Sequence, residues 1–340
     1  MEAKQLLEKL IDGRDLSSEQ SAAMMRGFME GSYTPAQTAS LLVALRIKSE
    51  TVEEIAACAR VMREKSTKIP TRLDSLIDTC GTGGDGSGSF NVSTTVALLL
   101  AGGGYRIAKH GNRSMTSRSG SADLLEALGV NLSLAPKQVA ACIERVGIGF
   151  LYAPALHAAM KNVVPIRREI AVRTIFNILG PLTNPAGTKT QIIGLYSPLL
   201  VSKIVRVLKE LGTRSAYVFS GVSGLDEVCI AGDTQVAHLS AKGDIREFVF
   251  NPAEYGFQLS RLEEIKGGSP ADNAKIARDI LSGALKGPKR DIVILNAGFA
   301  IAAIEEIALA AGLEKAQTLL DRGVGIEAIE RLKTVSHSFH

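Results

Sequence analysis

The chain has no tryptophan, and aromatic residues make up only 5% of it. That argues against a nucleic-acid surface built on base-stacking platforms. Its four cysteines, Cys58, Cys80, Cys142 and Cys229, lie far apart with no paired spacing. A zinc knuckle or a disulfide framework is thereby disfavoured, and a reducing compartment is expected. No long hydrophobic run is present; the longest apolar stretch, residues 96–104, is too short and too glycine-rich to cross a bilayer. Met1-Glu2-Ala3-Lys4 leads into an amphipathic segment rather than an apolar leader, so the expectation is a soluble cytoplasmic protein. The net charge of +4 suits an anionic ligand without demanding nucleic acid. With 340 residues, 46% hydrophobic and 22% charged, the composition is that of an ordinary globular protein, and one large domain with a smaller companion is expected.

The first seventy residues read as helices alone. Thr34-Pro35-Ala36-Gln37 is a capping box with proline at the first helical position, and Thr51 with Glu54 repeats the box. Leu41, Leu42 and Leu45, then Ile55, Cys58, Ala59 and Met62, keep helical spacing. Residues 65–71, around Pro70, read as a linker. Beyond it strands and helices alternate. Strands are expected at 76–79, 106–109, 148–152, 192–196, 216–220 and 292–295, with helices at 94–102, 121–128, 136–146 and 198–211. Alternation of this kind implies α/β architecture: a large domain with a mostly parallel central sheet flanked by helices, plus a small all-helical N-terminal domain. Two further short strands, near 234–239 and 246–250, are spaced for antiparallel pairing. The boundaries expected are 1–70 for the helical domain, joined by the helical segment 165–185, and 71–340 for the α/β domain.

The first strand runs into Gly81-Thr82-Gly83-Gly84-Asp85-Gly86-Ser87-Gly88, and Asn91-Val92-Ser93-Thr94 then opens a helix. Glycines allow positive φ and inward-turned N–H groups, and the helix N-terminus adds oriented donors. This is a phosphate cradle. Gly81-x-Gly83-x-x-Gly86 formally matches a dinucleotide fingerprint, but the acidic residue that should follow the second strand is missing. No acid occurs between Gly86 and Ala122; the second strand instead ends in Lys109-His110-Gly111-Asn112-Arg113, followed by Ser114, Thr116, Ser117, Arg118, Ser119 and Ser121. That is a second anion-binding segment. No Gly-Lys-Ser/Thr follows the glycines, so a nucleotide-triphosphatase loop is also disfavoured.

Asp226 and Glu227 follow the strand at 216–220 in a glycine-containing loop, where an α/β enzyme would hold a magnesium ion. Arg167 and Arg168 offer forks for a carboxylate. His110 and His157 are the only histidines near these motifs; His238, His337 and His340 carry no signal. Nothing presents itself as a general base or covalent nucleophile.

Taken together, GTGGDGSGSFNVST (81–94), KHGNRSMTSRSGSADLLEALG (109–129), RTIFNILGPLTNP (173–185) and GLDEV (224–228) closely resemble the anthranilate phosphoribosyltransferase family of tryptophan biosynthesis. The resemblance covers most of the chain. It implies transfer of phosphoribose from 5-phosphoribosyl 1-diphosphate to the amine of anthranilate, with release of diphosphate. By motif position Gly81, Gly84, Asp85, Ser89, Asn91, Val92, Ser93 and Thr94 would take the donor. Lys109, His110, Gly111, Asn112, Arg113, Ser114, Met115, Thr116, Ser117 and Ser121 would close over it. Ser93, Asp226 and Glu227 would hold two Mg²⁺ ions. Asn112 and Arg167 would meet anthranilate, with Gly81, His110, His157 and Gly180 shaping its pocket; Arg167 is preferred to Arg168 on the resemblance alone. The resemblance also implies a homodimer through the small helical domain, with no nucleic-acid or membrane partner. Ala171, where the family commonly has glycine, and Ser114-Met115 are departures. A pyrimidine nucleoside phosphorylase of related fold and a degenerate nucleic-acid-binding relative are the alternatives. The first differs at KHGNRS, and the second should have lost the acceptor-side residues.

Overall fold

The computed structural model describes residues 2–114 and 118–339. The N-terminal helices begin where the sequence supplies caps. Thr34 Oγ1 accepts from Gln37 N at 3.2 Å while Gln37 Oε1 accepts from Thr34 N at 3.0 Å. Thr51 and Glu54 form the same reciprocal pair, and Ser17 with Gln20 adds a third that sequence reading did not pick out. Each cap contributes about 1 kcal/mol. Leu41, Leu42, Leu45, Ile55, Cys58, Ala59 and Met62 are all buried, as their helical spacing predicts.

The α/β part is built on strands β1 (Leu76–Asp78), β2 (Arg106–Gly111), β3 (Ile148–Tyr152), β4 (Thr190–Gly194), β5 (Ser215–Gly221), β6 (Thr234–Leu239) and β7 (Ile245–Phe250). Their spatial order is β3-β2-β1-β4-β5-β6-β7. The first five run parallel; β6 and β7 pair antiparallel at one edge, as their close spacing suggests. The chain steps from β1 outward to β2 and β3, then returns to place β4 on the other side of β1. The order therefore reverses between β1 and β4, and at such a point the loops leaving the two strands part to open a crevice at their carboxyl ends.

Alternation along the strands feeds two cores. Tyr217 and Phe219 of β5 join the cluster formed with helices Val92–Gly102, Pro288–Glu305 and Val324–Ser336. Ala216 and Val218 point to the opposite face, where they pack with the helix Val201–Glu210 and the N-terminal helices. The helical bundle thus keeps no core to itself. Ile175, Phe176, Ile178, Leu179 and Leu182 join the same cluster, so the helical part of 165–185 does pack back onto the N-terminal helices. Residues 65–71 are less free than a linker: Thr67 N donates to Leu156 O and Ile69 N to Pro185 O.

One expected strand is wrong. Residues 292–295 lie inside the helix Pro288–Glu305, and Ile292 through Ala303 are all buried. A segment enclosed on every side has no polar face, so its apolar run carries neither the period of two nor the period of 3.6. Among the described residues, no single helix is long and apolar enough to cross a membrane.

Candidate active site

The crevice between β1 and β4 is filled by close backbone approaches that only glycine permits. A Cβ on Gly194, at the end of β4, would lie 1.6 Å from Asp226 O; one on Gly81 would lie 2.9 Å from Asp226 Oδ2. The two glycines let the carboxylate loop after β5 settle onto the loop after β1. Thr82 N and Oγ1 both donate to Gly194 O, at 2.9 and 3.3 Å. Gly83, Gly84, Gly86 and Gly88 all have positive φ, as a cradle of inward N–H groups requires. Asp85 braces this loop: Ser87 N donates to its Oδ1, and Asp226 N reaches its Oδ2 at 3.4 Å. Ser89 lies at an isolated bridge to Lys266, which ties the far end of the loop to the segment before helix Pro270–Leu281.

The helix Val92–Gly102 then starts at Asn91 without a side-chain cap. Asn91 is committed elsewhere: its amide donates to Ser119 O and accepts from Ser119 Oγ and Asn273 Nδ2. Ser93 N instead donates to Glu227 Oε1 at 3.1 Å. Val92 is a core side chain, and Thr94 is fully buried with an Oγ1 that finds no partner among the described residues.

Asp226 and Glu227 stand where the sequence placed them, beyond β5. Gly83 N donates to Asp226 Oδ2 at 2.6 Å. Burial raises both carboxyls well above the ordinary carboxylate range; repulsion from Asp85 raises both further, and Asp226 adds to the rise at Glu227. Lys109 Nζ opposes this from within, almost fully buried, donating to Thr79 O at 3.0 Å and Ser93 Oγ at 3.4 Å. Asn296, from the helix that was expected to hold a strand, accepts from Val228 N at 2.8 Å and donates to Val228 O at 3.1 Å, fixing the carboxylate loop from below. Thr79, Gly81, Ser93, Gly194, Asp226, Glu227 and Asn296 line one small cavity.

Beneath the glycine loop, Asp78, Cys80 and His110 bring ligand-type atoms within 4.8 Å of one another. The group is better described as a structural knot. Asp78 accepts from Asn184 Nδ2 at 2.7 Å and from His110 N at 3.2 Å, with burial pushing it up to about 6. Burial pushes the Cys80 thiol up to about 12, and it donates to Gly81 O.

On the other wall His110 Nδ1 lies 3.2 Å from Gly180 O, and its ring is 5.2 Å from that of His157. The Nε2 atoms of both are buried without a partner among the described residues. Burial holds the two imidazoles down, to about 3 and about 4, so both are neutral at physiological pH. From His157 the chain turns through Ala158–Asn162 into the helix Val164–Ile170. That helix places Arg167 half-buried over the Phe176 ring, 5.3 Å from its centroid, while Arg168 is exposed. Among the described residues Arg167 has no carboxylate partner. Ala171 closes the helix at φ 50, a left-handed position where glycine would be unstrained.

The basic segment divides. Lys109 and His110 enter the site. Asn112 is exposed, its Oδ1 holding Arg113 N and its carbonyl holding Ala122 N. The Arg113 guanidinium is bound to Asp123 and to both oxygens of Glu126. Ser114 N donates to Asp123 Oδ2, and Ser121 begins the helix Ser121–Ala127 next to Gly111. Met115, Thr116 and Ser117 lie outside the described residues. Sequence reading missed Gly194, Asn296 and the Asp78–Asn184 pair as parts of this centre. Asn296 alone left a trace, as the one polar side chain between Ile292 and Ala303.

A mostly parallel sheet with a reversal point, a glycine-rich cradle on a helix N-terminus and a carboxylate pair packed against it define a transferase for phosphorylated substrates. The glycosyl transferase family matches in two parts, its helical bundle domain over residues 4–66 and its a/b domain over residues 73–326. The chain is 48% identical over 335 residues to anthranilate phosphoribosyltransferase of Symbiobacterium thermophilum, covering 98% of each. It is similar to the solved anthranilate phosphoribosyltransferase of Thermus thermophilus, with a TM-score of 0.92 and 41% identity over 98% of this chain and 99% of that one. The Saccharomyces cerevisiae enzyme, solved in complex with PRPP and Mg, aligns with a TM-score of 0.90 and 27% identity over 99% and 98%. The chain belongs to the anthranilate phosphoribosyltransferase family.

Proposed function

We propose that this protein transfers phosphoribose from 5-phosphoribosyl 1-diphosphate to the anthranilate amine, in tryptophan biosynthesis. The observation that carries the reading is the Asp226–Glu227 pair, packed against the glycine-rich loop with one backbone N–H on each side chain. Such a donor set, oxygen-only and short of hydrogen-bond donors, fits a hard cation. Ser93, Asp226 and Glu227 would hold magnesium, the metal in the yeast relative's complex, and two ions per subunit is the number the family resemblance implies. When bound, the metal supplies positive charge to the departing diphosphate.

The protein's own part is binding and orientation. The N–H groups of the glycine loop and the uncapped start of helix Val92–Gly102 suit the donor's phosphates. Asp85, Ser89, Asn91 and the segment 109–117 with Ser121 complete that side. As the donor's C1–O bond breaks, the fixed donors hold the leaving group without reorganising. Arg167 and Asn112 would grip the acceptor, with neutral His110 and His157, Gly81 and Gly180 walling its ring. The anthranilate amine is a neutral nucleophile already, so placement at C1 is its main requirement. No side chain is assigned as a general base.

The working division is residues 1–70 with 165–185 as the small domain and 71–340 as the donor-binding domain. A homodimer through the N-terminal helices would cover Ile11 and Ile47, which are 70% and 80% exposed. The four cysteines, all free, suit a cytoplasmic setting. The test is to follow anthranilate fluorescence with purified protein, 5-phosphoribosyl 1-diphosphate and Mg²⁺. Donor- and metal-dependent loss of signal is expected; a constant signal, alongside phosphorolysis of uridine or thymidine, would favour the phosphorylase.

A further inference from the structure

Arg173 belongs to neither set of substrate groups above, yet it joins them. It lies between helix Val164–Ile170, which carries Arg167, and helix Phe176–Leu179, which is packed into the core of the N-terminal helices. Its side chain is exposed but held on two sides. The guanidinium stacks on the Tyr196 ring, 3.9 Å from the centroid, and Nη2 donates to Gly84 O at 2.6 Å. Tyr196 is itself tied to the donor loop, because its N–H donates to Thr82 Oγ1 at 3.2 Å. A ring of contacts results: Thr82 to Gly194 and Tyr196, Tyr196 to Arg173, Arg173 to Gly84.

The partners are well chosen for a staple. Gly84 has φ 69 and nothing within 4 Å of where a Cβ would be, so the loop has no side-chain packing of its own at that point. Its carbonyl is one of the few handles by which the loop can be held. A planar cation can stack and donate in one geometry, which an ammonium cannot do.

We infer that Arg173 is a positioning residue, a latch that fixes the glycine-rich donor loop relative to the acceptor-side segment bearing Arg167. The latch rests on the proposed reaction, since it links the two pockets that reaction needs. With it in place, the loop's inward N–H groups and the Arg167 helix share one rigid frame. Without it each wall samples positions that bind its substrate poorly.

The test is steady-state kinetics on Arg173→Ala, Arg173→Lys, Tyr196→Phe and Tyr196→Leu, with thermal melts alongside. Arg173→Ala should raise KM for both anthranilate and the diphosphate donor by about tenfold, the size expected for one charge-assisted hydrogen bond. Arg173→Lys should follow it. Tyr196→Phe keeps the ring and should stay within about twofold of the parent, whereas Tyr196→Leu should behave like Arg173→Ala. The double variant Arg173→Ala/Tyr196→Leu should be no worse than Arg173→Ala alone, because both break one device. A rise confined to the donor would make Arg173 a direct donor contact and overturn the latch; so would multiplying effects in the double variant. Should Tyr196→Leu melt early, the contrast between Arg173→Lys and Tyr196→Phe still decides. Parent protein that forms no product defeats the proposed reaction, whereas active parent with an indistinguishable Arg173→Ala defeats only the latch.

Discussion

Two carboxylate sites in the molecule are treated in opposite ways. In the helical bundle Glu54 is fully buried and well supplied: Leu16 N donates to Oε1, while Thr51 N and Lys48 Nζ donate to Oε2, all within 2.9 Å. In the crevice Asp226 and Glu227 receive one backbone N–H each among the described residues, and their nearest charged company includes Asp85. The two lysines differ in the same way. Lys48 is ion-paired with Asp15 and Glu54, whereas Lys109 is spent on a carbonyl and a hydroxyl. A saturated buried charge holds helices in register. A buried charge left short of partners costs stability, and such a cost is kept where a ligand is to supply the missing contact.

The contrast can be broken from the active-site side first. Asp226→Asn with Glu227→Gln should lower turnover by roughly a hundredfold or more, the size of losing preorganised charge at a reacting centre, and shift the Mg²⁺ dependence. Its fold should survive, because two burial penalties are removed. Glu54→Ala should do the reverse, costing about 3–5 kcal/mol of stability in a chemical melt while leaving kcat/KM of the surviving folded protein unchanged. Arg167→Ala should raise KM for anthranilate by about 1.5–3 kcal/mol in free energy with little effect on the donor; equal rises in both would place Arg167 elsewhere. The smallest effect concerns the partner-poor imidazoles. His110 and His157 have folded pKa values near 3 and 4, below the ordinary value of about 6.5. The folded state therefore prefers them neutral, so their contribution is present above about pH 6.5 and is lost as the pH falls toward about 4 for His157 and about 3 for His110. A melt series across that window should show a shallower decline for His157→Gln than for the parent.

What sequence could read follows the same division. The cradle was legible because its glycines sit between a strand and a helix start, and the missing acid after β2 disfavours a dinucleotide. The carboxylate pair was legible as a position but not as a state; its shortage of donors depends on Gly194, which admits the Asp226 backbone through a contact between segments 32 residues apart. Lys109 reads in sequence as the start of an anion-binding segment, and its burial as an interior cation is not visible there. Arg113 looked like its neighbour in function and is engaged by Asp123 and Glu126 on the following helix. The strand expected at 292–295 failed for want of a period, because every side of that helix meets protein. Local turn chemistry and caps are written in short windows; burial and counter-charge are properties of the packed chain.

On the proposed function, Asp226 and Glu227 are short of partners because they receive a cation. Thermal melts of the parent and of Asp226→Asn/Glu227→Gln, with Mg²⁺ and inorganic diphosphate added, test it most directly. A Mg²⁺-dependent rise in Tm is expected for the parent and none for the variant. An equal rise in both would contradict it.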